Sequence, residues 1–322
     1  DTIGKKMTVC QLYAKQIRHR GNVRYNTKNG RKRLMKLLEE DKLGGCPIDS
    51  VKLSDAKEWA IRMKEKGISY KTISNDKRSL KAAFYTAIQD DCIRKKPFDF
   101  QLNTVIEDDT EPKVPLTPAQ EESFLSFAQN DKVYQKYYDE LIILLGTGFR
   151  ISELCGLTDT DIDFENRIIN VDHQLLRSAE TGYYIETPKT KSGIRQIPMS
   201  EKVYEAFNRV LKRSRGAKAV TIDGYSNFLF LNRDGYPKTA TNYDGMFRGH
   251  AKKYNKYHEE ALPKVMTPHT LRHTFCTNMA NAGMNPKALQ YITGHSNITM
   301  TLNYYAHATF DSAKAEMLRI AA

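Results

Sequence analysis

An acidic, proline-containing stretch divides this chain in two and constrains its fold more than any other feature. Residues 101–117, QLNTVIEDDTEPKVPLT, hold four acidic side chains and two prolines and show no amphipathic period, which is typical of a linker. The chain has 322 residues, about twice the length of an average domain. The sequence therefore predicts two domains, at 1–110 and 118–322, joined by a linker at 111–117.

The positive charge of the chain is concentrated before that linker. Residues 1–100 hold 24 Lys and Arg against 12 Asp and Glu, whereas the remaining residues hold 26 of each, so the net charge of +12 belongs to the first domain. Clustered Lys and Arg bind polyanions by releasing condensed counterions, which makes DNA the favoured partner. Solubility alone is the alternative explanation.

Helical periodicity predicts one basic surface in the first domain. Apolar residues recur at helical spacing over residues 73–88, and four basic residues fall largely on the other side of that helix: Lys71, Lys77, Arg78 and Lys81. We expect this face to contact DNA, although a basic helix face is more often simply solvated.

The second domain alternates between helical and strand-like patterns. Helices are predicted at 118–130, 135–146, 201–213, 240–257, 269–282 and 286–293, and strands at 167–175, 183–187, 194–199 and 228–231. The predicted fold class is therefore mainly α, with a small β-meander flanked by helices in the second domain.

Several classes of function are disfavoured by what the sequence lacks. No uninterrupted apolar run approaches the roughly 18 residues that a membrane span needs. The five cysteines are scattered and form no C-x-x-C pair, which disfavours a disulfide framework and favours a reducing cytoplasm. Phosphate-loop, dinucleotide-binding and nucleophile-elbow motifs are missing, so we expect neither ATP-driven nor cofactor chemistry.

His269 and His273, four residues apart on a predicted helix, could suggest a zinc site. The segment H-T-L-R-H lacks the glutamate of the H-E-x-x-H motif, and it places the positive charge of Arg272 beside the cation. We therefore predict no metal.

A set of basic and aromatic residues suits attack by a tyrosine on a phosphodiester. Negative charge builds on the non-bridging oxygens in the transition state, and the planar guanidiniums of Arg150 and Arg272 can hold them. Lys191, in a predicted hairpin turn, can protonate the departing 5′ oxygen. His269 can help the tyrosine lose its proton, and His295 can donate to a phosphate oxygen.

The order of these residues resembles the tyrosine recombinase family, whose pattern is R…K…H-x-x-R…H…Y. Residues 147–154, TGFRISEL, are similar to the first box of the family. Residues 269–307, HTLRHTFCTNMANAGMNPKALQYITGHSNITMTLNYYAH, resemble nearly all of the second box. The likeness runs from about residue 7 to the tail, and within the family it points to integrases of Gram-positive conjugative transposons.

The resemblance implies which tyrosine reacts. Placing the nucleophile ten positions after His295 selects Tyr305, followed by Ala306 and His307. Tyr304, about 100° around a helix from Tyr305, then becomes a packing neighbour. A local irregularity in the helix would exchange the two.

Two further residues take their roles from the resemblance. Lys191 fits the T-K-S/T-G turn of the family better than Lys189 does. Glu153 is implied to orient Arg150, one helical turn away, by hydrogen bonding.

The family implies a site-specific recombinase that acts on double-stranded DNA at transposon ends and target sites. Strands are cut through a 3′-phosphotyrosyl intermediate and exchanged through a four-way junction, without ATP or metal. Residues 312–320 are predicted to form a final helix that docks on a neighbouring protomer in a homo-tetramer, with capping of its own domain as the alternative. An excisionase and a DNA-bending protein are further candidate partners, and a nucleoid-associated location in a bacterial cytoplasm is expected.

Two other activities stay open at the level of sequence. A type IB topoisomerase-like enzyme would nick and reseal one strand with the same residues, and a DNA-binding regulator would keep the fold without catalysis. Because the chain begins with Asp1, we expect a fragment or processed form that lacks the additional amino-terminal arm-binding domain of this transposon type.

Overall fold

A computed structural model of the chain describes residues 7–21, 23–188, 190–214, 220–305 and 317–318. Contacts between Cα atoms divide the chain into two compact units, Asp1–Pro112 and Lys113–Ala322. Each unit has a hydrophobic core of its own.

The first unit is helical, with a core built around Trp59. It contains α1 (Val9–His19), α2 (Tyr25–Glu39), α3 (Leu53–Glu65) and α4 (Tyr70–Gln89), followed by a 3-10 turn at Leu102–Thr104. Helices α3 and α4 form where apolar residues recur at helical spacing, and both apolar stripes face the core. The Trp59 ring packs edge-on against Phe98 at a centroid distance of 5.9 Å.

The linker is shorter than the composition of residues 101–117 suggests. Leu102 and Ile106 are buried in the core of the first unit, because this unit needs their apolar surface to close it. Leu116, placed in the linker by sequence, is buried in the second unit, and its N–H donates to Thr274 Oγ1 at 2.9 Å. The exposed part is limited to residues 107–114.

The helices predicted in the second domain are present, with ends that differ by a few residues. The unit contains α5 (Pro118–Asn130), α6 (Tyr138–Thr147), α7 (Ile151–Gly156), α8 (Glu201–Ser214), α9 (Ala240–Tyr257), α10 (Pro268–Asn281), α11 (Pro286–Thr293) and α12 (Ile298–Leu302). Helices α7 and α12 were not predicted, because two turns or fewer show no clear period.

The strands form two small sheets in place of one meander. Strands β1 (Ile162–Asp163), β2 (Ile168–Val171) and β5 (Arg195–Pro198) pair in that order, and β3 (Gln174–Ser178) pairs with β4 (Gly182–Glu186) as a separate hairpin. The strand predicted at 167–175 is thus two strands. The strand predicted at 228–231 is wrong: this segment makes only isolated bridges, Thr158 to Phe228 and Leu231 to Pro237, among the described residues.

The fold class predicted from sequence, mainly α with small β elements, is confirmed. Within the described ranges, no helix is both long and apolar enough to cross a membrane. The five cysteines are all free thiols.

Candidate active site around two arginines

Arg150 follows a left-handed glycine that ends α6. Gly148 has a φ of +64°, and a Cβ there would lie 2.4 Å from the Phe275 ring, so glycine is required. The turn brings Arg150 to the start of α7, where its Nη1 donates to Glu153 Oε1 at 2.8 Å and its Nη2 donates to the Gly294 carbonyl at 3.0 Å. The Arg150 side chain stays 33% exposed, so it can also reach a ligand.

Glu153 is a buried carboxylate that binds two arginines. It accepts from the Arg150 backbone N–H at 2.9 Å, and its two oxygens accept from Arg195 at 3.0 and 2.9 Å. Burial alone would raise the pKa of Glu153, but the hydrogen bonds and charge of Arg195, with the charges of Arg150 and Arg272, lower the pKa to about 2. Glu153 is therefore ionised near pH 7, and it orients the Arg150 guanidinium.

Arg272, on α10, directs its guanidinium at the same region. Its Nη1 donates to the Gly148 carbonyl at 2.5 Å, and its Nη2 donates to the Thr293 carbonyl at 2.6 Å. Because Arg150 binds the carbonyl of the next residue, Gly294, the two guanidiniums converge on one turn. Burial, followed by the positive charge of Arg150, lowers the pKa of Arg272 to about 10. Two crowded positive charges of this kind form a site for an anion.

Two histidines border the arginine pair. His269, in the first turn of α10, is exposed on one side, and its partial burial and then nearby positive charges lower its pKa. His295 is buried, with Nδ1 3.0 Å from Thr301 Oγ1, and burial followed by the charge of Arg272 lowers its pKa to about 4. Both imidazoles are therefore neutral near pH 7, the form that can accept a proton.

Tyr304 packs against this group of residues. Its ring lies nearly parallel to His295 at a centroid distance of 6.4 Å and meets His273 edge-on at 5.0 Å. Burial, followed by the neighbouring Cys276 thiol that shares a hydrogen bond with the hydroxyl, raises the pKa of Tyr304 to about 12, although the charge of Arg272 opposes the shift. The phenol is thus held protonated near Arg272.

Tyr305 has different surroundings. Its hydroxyl donates to the Met284 carbonyl at 2.5 Å, in the loop between α10 and α11. Burial, followed by the neighbouring Cys276, raises its pKa. The sequence favours Tyr305 as the nucleophile, whereas the contacts with His295 and Arg272 belong to Tyr304.

Lys191 lies in an exposed 3-10 turn, Lys191–Gly193, between β4 and β5. The turn packs closely on Gly294, since a Cβ at Gly294 would lie 2.9 Å from the Ser192 carbonyl oxygen. The turn is therefore next to the carbonyl that binds Arg150. Lys189, the alternative lysine, lies outside the described residues.

Within the part of the chain that the structure describes, one cluster has the spacing of a metal site: Asp161, Asp172 and His173. His173 Nε2 lies 2.7 Å from the Gly156 carbonyl, and Nδ1 lies 2.6 Å from Asp172 Oδ1. The nitrogen that donates to the carbonyl has no lone pair left for a metal. We interpret the cluster as a hydrogen-bonded support for the end of α7.

The sequence family of the chain follows from direct comparison. Residues 115–312 match the model of the Phage integrase family. The chain belongs to this family. The transposase from transposon Tn916 of Enterococcus faecalis is 68% identical over 320 residues, covering 99% of this chain and 79% of that protein. The tyrosine recombinase XerC of Bacillus subtilis is 26% identical over 265 residues, covering 82% of this chain and 78% of XerC.

Solved structures are similar to this integrase-family chain as well. The Tn1549 transposon integrase with a circular intermediate DNA has a TM-score of 0.93 at 77% identity, covering 98% of this chain and 99% of that chain. A lambda integrase dimer bound to a core site has a TM-score of 0.63 at 15% identity, covering 94% of this chain and 78% of lambda integrase, which concerns the fold alone. The resemblance stated from sequence and the enzyme class, a tyrosine recombinase, are confirmed.

The recombinase uses two of the four basic residues predicted on α4 for contacts of its own. Lys77 Nζ donates to the Phe100 carbonyl at 2.5 Å and lies 4.5 Å from the centre of the Phe100 ring. Lys81 pairs with Asp99 at 2.5 Å. The other two are exposed at the surface: Lys71 and Arg78.

Sequence reasoning missed Arg195, whose side chain is completely buried against Glu153. A signal was present in β5, where alternate residues face inward. Arg195 shares the inward face with Ile197, so a charge occupies a core position. A charge at such a position needs a buried partner, and this recombinase supplies Glu153.

Proposed function

We propose that this tyrosine recombinase excises and integrates a conjugative transposon by cutting and rejoining DNA at transposon ends and target sites. The named relatives support this proposal, because they include the Tn916 transposase and the Tn1549 integrase, which was solved with circular intermediate DNA and with transposon right-end DNA. The observation that carries it is the convergence of Arg150 and Arg272 on the turn before His295.

In this proposal the arginine pair binds the phosphate that is cut. Arg150 and Arg272 hold its non-bridging oxygens, where negative charge increases in the transition state. His295 donates to a phosphate oxygen, and His269, neutral near pH 7, takes the proton of the attacking tyrosine. Lys191 gives a proton to the departing 5′ oxygen.

We propose Tyr304 as the nucleophile, in place of the Tyr305 favoured by sequence. The contacts of Tyr304 with His295 and its closeness to Arg272 support this choice. The Tn1549 integrase complexes supply an independent argument. They carry lysine for arginine at position 225 and phenylalanine for tyrosine at position 379 of that protein, which are 154 residues apart. Arg150 and Tyr304 are also separated by 154 residues, whereas Arg150 and Tyr305 are separated by 155.

The chemical step conserves the energy of the phosphodiester. The tyrosine oxygen forms a bond to phosphorus, the bond from phosphorus to the 5′ oxygen breaks, and a 3′-phosphotyrosine remains. The released 5′ hydroxyl of one strand then attacks the phosphotyrosine of the partner strand. Two rounds pass through a four-way junction. Because the pKa of Tyr304 is about 12 in this structure, DNA binding must change its surroundings before it reacts.

The assembly and its partners are also proposed. Four copies act together on double-stranded DNA, coupled through residues 312–320, of which Met317 and Leu318 alone belong to the described residues. An excisionase and a DNA-bending protein assist, in the bacterial cytoplasm at the nucleoid.

A suicide substrate tests the proposed function and the choice of tyrosine. A Tn1549 right-end duplex with a nick close to the cleavage site releases the 5′ fragment after attack, so the covalent protein–DNA adduct accumulates. We expect the adduct with the unmodified chain and with Tyr305→Phe, and none with Tyr304→Phe. The two variants are matched controls, because each removes one hydroxyl from adjacent residues.

Other outcomes separate the alternatives. Loss of the adduct in Tyr305→Phe alone would return the nucleophile to Tyr305. Absence of any adduct with a folded, DNA-bound chain would favour a regulator. Strand exchange between two labelled duplexes separates a recombinase from a topoisomerase-like enzyme, which reseals only the strand that it cut.

A further inference from the structure

Arg195, at the start of β5, connects three segments of the site with one buried guanidinium. Its Nη1 and Nη2 donate to the two oxygens of Glu153 at 3.0 and 2.9 Å. Its Nη1 also donates to the Gly193 carbonyl at 3.0 Å, and its Nε donates to the Ile292 carbonyl at 2.6 Å. The side chain is 0% exposed, so it cannot itself contact DNA in this structure.

Each partner of Arg195 adjoins a residue with a proposed role. Glu153 binds the backbone and the guanidinium of Arg150. Gly193 closes the turn that begins at Lys191. Ile292 stands two residues before Gly294, whose carbonyl binds Arg150. One side chain therefore sets the distance between the Lys191 turn and Arg150.

The chemistry of arginine suits this task. Its planar fork of N–H donors fixes both direction and distance, whereas an ammonium group acts as a point charge without a preferred plane. A buried ion pair gives little net stability compared with apolar packing, because removing both charges from water offsets their attraction. Orientation is therefore the better explanation for a charge at an inward position of β5.

The Lys191 turn depends on such an anchor. Lys191 is exposed and ends a flexible four-carbon chain, so its ammonium reaches one atom reliably only if its backbone is fixed. Within the turn, the Gly193 N–H donates to the Thr190 carbonyl at 2.9 Å, a local contact that does not place the turn relative to α7. The hydrogen bond from Arg195 to the Gly193 carbonyl does.

We propose that Arg195 is a positioning residue that fixes the Lys191 turn relative to Arg150, so that Lys191 delivers its proton to the departing 5′ oxygen. This inference rests on the function proposed above for Lys191 and Arg150.

A sulfur atom at the leaving position separates this role from a purely structural one. With the natural substrate, the bond from phosphorus to O5′ breaks and the leaving oxygen takes a proton from the lysine ammonium. When sulfur replaces that bridging oxygen, the bond from phosphorus to sulfur breaks and a thiolate leaves without needing the proton. A variant that fails only in proton delivery therefore recovers on the sulfur substrate.

The experiment compares single-turnover cleavage of matched oxygen and 5′-bridging phosphorothiolate duplexes carrying a Tn1549 right end. Arg195→Lys keeps the positive charge near Glu153 but cannot satisfy Glu153, Gly193 and Ile292 together. We expect Arg195→Lys and Lys191→Ala each to slow cleavage of the oxygen substrate by about 10²-fold and to approach the unmodified rate on the sulfur substrate. Arg150→Lys should stay slow on both, because it acts on the non-bridging oxygens.

Two more variants complete the design. Arg167→Lys is the matched control: Arg167 pairs with Glu201 at the surface, so cleavage of both substrates should be unchanged. Gly193→Ala is a second test if Arg195→Lys folds poorly. A Cβ at Gly193 would lie 2.3 Å from Pro188 Cβ, so the turn must shift while the pair of Arg195 and Glu153 is retained. It should show the same recovery on sulfur.

The outcomes distinguish this inference from the proposed function. If folded Arg195→Lys and Gly193→Ala stay as slow on sulfur as Arg150→Lys, Arg195 does not act through Lys191 and the inference is overturned, while the recombinase function stands. If Lys191→Ala does not recover on sulfur, Lys191 is not the proton donor and the inference is also overturned. If the unmodified chain forms no adduct with either substrate, the proposed function fails and the inference fails with it.

Discussion

Replacing Glu153 by Gln removes a buried negative charge between Arg150 and Arg195 while keeping the size of the side chain. The pKa of Glu153 is about 2 in the folded chain, against 4.5 for an ordinary glutamate. This difference corresponds to about 3 kcal/mol, since each pKa unit is worth about 1.4 kcal/mol. Glu153→Gln should therefore lower the free energy of unfolding at pH 7 by about 3 kcal/mol, mainly because Arg195 loses its counter-charge.

The pH dependence of this effect has a defined sign. A carboxyl group whose pKa is lowered by folding contributes its full stabilisation above about pH 4.5 and loses it as the pH falls toward 2. At pH 3.5 the unmodified chain should already have lost about 1.4 kcal/mol of this contribution, whereas Glu153→Gln has no such carboxyl to protonate. The difference in unfolding free energy between the two chains should shrink by that amount.

Urea unfolding followed by far-ultraviolet circular dichroism measures both quantities. The fluorescence of Trp59, the single tryptophan of the chain, reports on the first unit and provides an internal reference. Glu201→Gln is the matched control, because Glu201 is 63% exposed and its pair with Arg167 is worth at most about 1 kcal/mol. A loss in Glu153→Gln no larger than that of the control, or a difference that stays constant down to pH 3.5, would refute the ion-pair explanation.

Three further changes have defined outcomes. His250 is completely buried, makes no hydrogen bond within the described residues and has a pKa lowered to about 4, chiefly by burial. Its stabilisation is present above about pH 6.5 and is lost as the pH falls toward 4, so the unmodified chain should lose about 2 kcal/mol more than His250→Leu between pH 8 and pH 5 in urea titrations. Gly148→Ala should lower the melting temperature and slow single-turnover cleavage, because its Cβ meets the Phe275 ring and disturbs the carbonyl that binds Arg272; unchanged values would show that the turn can relax. Arg78→Gln should weaken DNA binding and reduce its salt dependence more than Lys77→Gln does, because Lys77 is engaged with Phe100; equal effects on salt dependence would contradict this ranking.

Local patterns predicted the helices well, and long-range pairing limited the rest. Helices such as α9, Ala240–Tyr257, carry enough turns for their period to show, and their ends were predicted closely. The strand predicted at 167–175 is interrupted, because β2 pairs with β5 while β3 turns away to pair with β4. Such choices depend on residues far along the chain. The linker was overestimated for a similar reason, since Leu102, Ile106 and Leu116 look isolated in sequence but complete two different cores.

The site residues were found as a set because their order along the chain is distinctive, but their exact geometry was not predictable. The choice between Tyr304 and Tyr305 depends on which face of a short helical segment meets His295, and a count of residues cannot decide that. Arg195 and its bidentate contact with Glu153 joins residues 42 positions apart, so no local pattern reveals the pair.

The three guanidiniums of the site all end on main-chain oxygens, at Gly148, Gly193, Ile292, Thr293 and Gly294. Every amino acid supplies such an oxygen, so the acceptor chemistry at these positions tolerates mutation wherever the backbone keeps its path. Inserting or deleting a residue at 292–294 has the opposite effect, because it shifts each acceptor to a different arginine. Homologous enzymes can therefore drift in side-chain identity along this segment while its length is held constant.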